Sequence, residues 1–115
     1  MTVSSQTCRQ IAAALGCLVE AARCGGPAAL TGLAAPEIAG FWFDRPVHGP
    51  AEFAEALAGT FALADLEISC EGTIAWVTAR LVPDGASGTE GRFTAVLRGT
   101  GHDWLLAQVH GSLPA

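Results

Sequence analysis

The 115-residue chain carries six Arg and no Lys against eleven Asp and Glu, a net charge of -5 with no run of Arg anywhere. Binding to phosphates needs a basic patch, so nucleic acid and anionic membrane are excluded as partners. Half of the residues are hydrophobic and 15% are charged, which excludes a disordered chain and fits a single globular domain over residues 1–115.

In chain order, Met1 to Gln10 is polar, with no basic stretch ahead of an apolar run, so no signal peptide is expected. No segment approaches the roughly 20 apolar residues that span a bilayer, and a cytoplasmic location is the expectation. Thr7 and Gln10 form a T-x-x-Q capping box. Ile11, Leu15, Leu18, Val19 and Ala22 follow as one apolar stripe, predicting a helix over about 8–23. Gly25-Gly26 ends it. Pro27 suits the first turn of a second short helix carrying Leu30 and Leu33, closed by Pro36.

Ile38 to Asp44 reads as a strand, with Ile38, Gly40, Trp42 and Asp44 on one face and Ala39, Phe41 and Phe43 on the other. Pro46, Gly49 and Pro50 mark a loop. Pro50 opens a third short helix with Phe53 and Leu57 four apart. From there the apolar period becomes two, predicting strands over 60–71, 73–82, 92–98 and 104–112. Helices first and hairpin-linked strands after argue an α+β domain with a mostly antiparallel sheet. The four cysteines, Cys8, Cys17, Cys24 and Cys70, show neither a Cys-x-x-Cys pair nor a His at metal spacing, and read as free thiols.

Several segments match one family in order. Cys24-Gly25-Gly26-Pro27-Ala28-Ala29-Leu30 resembles a Gly-Asp-x-x-Ala-Leu helix start, with Gly26 in place of the Asp. Phe41-Trp42-Phe43-Asp44 with His48-Gly49-Pro50 resembles the approach to the third helix. Gly72-Thr73-Ile74-Ala75-Trp76-Val77 resembles a Gly-Asp-x-Ala-Trp-Val strand. Arg92-Phe93-Thr94-Ala95-Val96 and Trp104 through His110-x-Ser112 resemble the closing strand pair. Together they resemble SnoaL-like domains of the nuclear transport factor 2-like superfamily and, more faintly, the association domain of calcium/calmodulin-dependent kinases. The resemblance implies a cone-shaped fold, N-terminal helices on a curved sheet, an apolar pocket at the wide end, and a homodimer through the sheet.

Alternation on the strand around Trp76 separates Ile74, Trp76, Thr78 and Arg80 from a wholly apolar face of Ala75, Val77, Ala79 and Leu81. By the resemblance, Trp76, Thr78 and Arg80 line the cavity; otherwise Trp76 packs in the core or at a dimer contact. Trp42, Arg92, Thr94 and His110 complete the candidate pocket. An Arg in such a pocket could grip a carboxylate or enolate in bidentate fashion. Trp104, Leu106, Gln108 and His110 share a face by alternation.

Catalytic members of the superfamily use an Asp or Glu base, or an Asp/His pair. Asp44, on the Trp42 face, and His48, in the loop before the third helix, are the candidate catalytic residues. The plainer alternatives are a turn cap or an Arg45 ion pair for Asp44 and an exposed loop position for His48. No metal site is expected, since no two His are close in sequence. No cofactor is expected either: there is no Gly-rich phosphate loop, and no nucleophile with an identifiable base. The functional expectation is a small apolar or aromatic ligand, with isomerase, cyclase or dehydratase chemistry open. The alternative is a non-catalytic dimerisation or assembly module with a vestigial pocket.

Overall fold

A computed structural model describes residues 5–24, 30, 32–57, 61–83 and 90–113. The element order is α1 (Ser5–Cys24), β1 (Ala34–Trp42), β2 (Arg45–His48), α2 (Pro50–Leu57), β3 (Phe61–Glu71), β4 (Ile74–Pro83), β5 (Gly91–Gly99) and β6 (Trp104–Ser112). The six strands form one sheet in the order β2-β1-β6-β5-β4-β3. Every neighbouring pair is antiparallel except β1–β6, which is parallel. The expected α+β architecture, helices on a mostly antiparallel sheet, is what the chain adopts.

Both helices pack on one side of the sheet, α1 over β3 and β6 and α2 over β1 and β2. The α1 stripe of Ile11, Leu15, Leu18 and Ala22 is buried, as its spacing requires. Pro50 opens α2, and Phe53, Ala54 and Leu57 face inward. Ala75, Val77, Ala79 and Leu81 meet the helices from β4, and Phe93, Ala95 and Leu97 do so from β5. Trp42 is the hub of this layer. Its ring centroid stands 6.0 Å from Phe53, 5.4 Å from Phe61 and 6.3 Å from Phe93, in tilted and edge-on arrangements that the ring quadrupoles favour.

Four local expectations are corrected. The helix is described from Ser5, so Thr7 lies inside its first turn rather than at the cap. The second short helix from Pro27 falls mostly outside the described residues. Leu33 sits in a turn that donates its N–H to the Leu30 carbonyl, and Pro36 lies within β1 instead of closing a helix. The supposed loop around Pro46 is the edge strand β2, where a residue without an N–H is tolerated. Asp44 is not a strand residue. Phe43 (φ 52°) and Asp44 (φ 71°) are the two left-handed residues of a tight turn joining Trp42 to its partner Arg45, the dihedral signature of a type I′ hairpin.

The parity of β6 also differs. Its register against β5 shifts between Val96 and Leu97, leaving Ala107 as an extra residue. Leu106 therefore turns to the helix side with Val109, while Gln108 and His110 stay on the opposite face.

Candidate functional site

The face of the sheet away from the helices has no element packed on it among the described residues. Cross-strand register lays its side chains out in rows. One row runs straight across all six strands: Glu67 on β3, Thr78, Thr94, His110, Phe41 and Pro46 on β2. The next is Ser69, Trp76, Val96, Gln108, Ala39 and His48. These two rows form the floor of a groove of about 500 Å³, lined by Phe41, Trp76, Thr78, Thr94, Gln108 and His110 among others. Phe41 is 52% exposed and Trp76 44%, with Ile74 beside them at 42%. Large apolar side chains normally give up most of their surface on folding, so three of them bared on one face form an exposed apolar patch.

Ions frame this apolar centre. At one end, Arg80 donates from Nε to Asp65 at 2.6 Å and from Nη1 to both Glu90 oxygens at 2.6 Å. The Glu90 hydrogen bonds, then that to Asp65, hold the guanidinium above its ordinary pKa. At the other end, Arg98 reaches across β6 to Glu37, with Nε to Oε2 at 2.6 Å and Nη2 to Oε1 at 3.2 Å. That bond holds the Glu37 carboxyl below its usual range.

The candidate pocket residues thus divide. Trp76, Thr78, Thr94 and His110 come together in the groove, on the face opposite the helices. Trp42 is 2% exposed and belongs to the core. Arg80 is held in its ion cluster, and Arg92 is exposed in a separate cleft of about 290 Å³ beside Gly91 and Ser112. Phe41 and Gln108 complete the groove and were missed. Their signal was present: each is the register neighbour of a residue on that face.

The candidate catalytic residues are not brought together. Asp44 occupies the hairpin turn, and His48 ends β2 four positions on, about 13 Å away at strand rise. Both are exposed. The His48 backbone N–H donates to Glu52 Oε1 at 2.9 Å, which ties the end of β2 to the first turn of α2. All fully buried residues among those described are apolar, and the half-buried Cys70 is the titratable side chain packed against that core. Among the described residues no group of three His, Cys, Asp or Glu is placed to hold a metal. No helix there is long and apolar enough to cross a membrane.

The sequence profile of the SnoaL-like domain matches residues 11–115. No curated protein sequence matches the chain. Among solved structures, a nuclear transport factor 2-like protein of unknown function from Pseudomonas putida KT2440 is 20% identical with a TM-score of 0.78, covering 98% of this chain and 90% of that one. A provisionally assigned dehydratase of the same superfamily, from Streptomyces avermitilis, is 18% identical with a TM-score of 0.77, covering 97% and 99%. A provisionally assigned calcium/calmodulin-dependent protein kinase II association domain from Xanthomonas campestris is 15% identical with a TM-score of 0.73, covering 92% and 86%. At these identities the likeness is one of fold.

Proposed function

The chain belongs to the SnoaL-like domain family, and on that footing we propose that it is a homodimerising module in which two copies meet through their helix-free sheet faces. The observation that carries the reading is the exposure of Phe41, Ile74 and Trp76 together in a six-stranded face. An apolar centre with ion pairs at its ends has the layout of an interface, a dry core inside a polar rim. Stacked sheets sit about 10 Å apart and bury both inner faces. The ring contacts of Trp42 with Phe53, Phe61 and Phe93 support a scaffold reading.

The test is oligomeric state. At micromolar concentration light scattering should report a dimer, and Trp76→Arg should report a folded monomer whose melting temperature no longer depends on protein concentration. A wild-type monomer at that concentration, or an undisturbed dimer in the variant, overturns the reading.

The groove supports a second reading, a small apolar or aromatic ligand on Trp76, flanked by the hydroxyls of Thr78 and Thr94 and by His110. Its volume suits a molecule of one or two rings. Trp76→Leu separates the two. Weaker binding of an anilinonaphthalene sulfonate probe by an intact dimer favours the ligand. Loss of the dimer with probe binding unchanged favours pairing.

A further inference from the structure

A second depression lies away from the pairing face, where the N-terminal half of α1 meets the turn between β5 and β6. Two adjoining clefts, about 250 and 210 Å³, share four residues: Gln10, His102, Asp103 and Trp104.

The turn that presents His102 and Asp103 is held in place. Thr100 Oγ1 accepts the N–H groups of His102 at 3.3 Å and Asp103 at 3.0 Å, and the Thr100 N–H donates to the Asp103 carbonyl at 2.9 Å. The Gly99 N–H donates to the Thr73 carbonyl at 2.7 Å, locking this turn to the one between β3 and β4. The Trp104 ring lies against Gly99, where a Cβ would stand 3.4 Å from it. Trp104 is half-buried and lines both clefts. Among the described residues, no hydrogen bond or ion pair engages the side chains of Gln10, His102 or Asp103. Asp103, which lines both clefts with Trp104, sets the sign of the site, because no Arg lines either cleft and the chain has no Lys.

We propose that this notch binds a small planar organic cation, one ring bearing an amidinium or amine. The ring or charge would sit against Trp104 as a cation–π contact, and the N–H groups would reach Asp103 and the Gln10 carbonyl oxygen. The clefts are too small for a larger molecule. Nothing in this assignment depends on the pairing face.

The test is an NMR titration of the isotope-labelled protein with benzamidine, with benzoate as the same ring of opposite charge. Benzamidine should move the Trp104 indole N–H and the His102 ring while leaving the Trp76 indole in place. Benzoate at equal concentration should move neither. Asp103→Asn keeps the turn, whose hydrogen bonds use the Asp103 backbone, and should weaken benzamidine roughly two- to fivefold, the worth of an exposed charge pair. An unmoved Trp104, an equal response to benzoate, or unchanged affinity in the variant overturns the proposal.

Discussion

The indole of Trp42 lies against Gly111, its register partner on β6, so closely that a methyl group there would stand 2.6 Å from the ring. Gly111 is therefore a packing requirement of the aromatic hub. Gly111→Ala should cost about 1–3 kcal/mol through overpacking. Thermal unfolding checks it, and an unchanged melting temperature would show that Trp42 can shift without loss.

The hairpin between β1 and β2 turns on Phe43 and Asp44, both left-handed, where non-glycine residues carry a steric penalty. Asp44→Gly should raise stability by up to about 1 kcal/mol, the glycine entropy offsetting part of the relief. Denaturant unfolding measures it. A loss instead would mean that the Asp44 carboxylate carries weight in the folded state.

Acid should reach the fold through Glu37. Arg98 holds its folded pKa below the ordinary 4.5, so the contribution is present above that value and is lost as pH falls through the folded value. Arg98→Gln should lower the melting temperature slightly at neutral pH, and the two proteins should converge in acid. The pair is solvent-exposed, so the difference is small. A constant gap across the titration would assign the effect to packing of the Arg98 stem.

All four cysteines are free thiols, with Cys17 and Cys24 exposed on α1 and Cys8 and Cys70 half-buried. A thiol reagent should modify two groups quickly in the native protein and all four in denaturant without reductant. Fewer than four in fresh denatured protein would reveal a disulfide.

The strong periodicities carried most of the fold. The α1 stripe and the alternation in β4 each admit one arrangement, because a shift of one residue would expose a full set of apolar side chains. What alternation divides, however, it does not orient. It put Trp76 and Thr78 together and left open which side of the sheet the helices cover; the apolar set Ala75, Val77, Ala79 and Leu81 takes that side. β2 was hidden because Pro46 reads as a loop signal unless the strand is known to lie at an edge. The Ala107 bulge was hidden because one inserted residue changes no composition, only the face of Leu106. Asp44 and His48 look adjacent in the sequence, yet the extended backbone of β2 holds them apart.

The parallel pairing of β1 with β6 has a consequence for how the chain matures. β6 follows the other described strands in chain order and sits third in the sheet, between β1 and β5. Until it emerges from the ribosome, the hairpin of β1 and β2 cannot join the meander of β3, β4 and β5, and Trp42 lacks the floor that Gly111 provides. Such long-range closure is slow relative to local hairpins. Before β6 is made the domain therefore stands as two unjoined halves with apolar surface bared, and a chain stalled before β6 is the form in which this protein would aggregate.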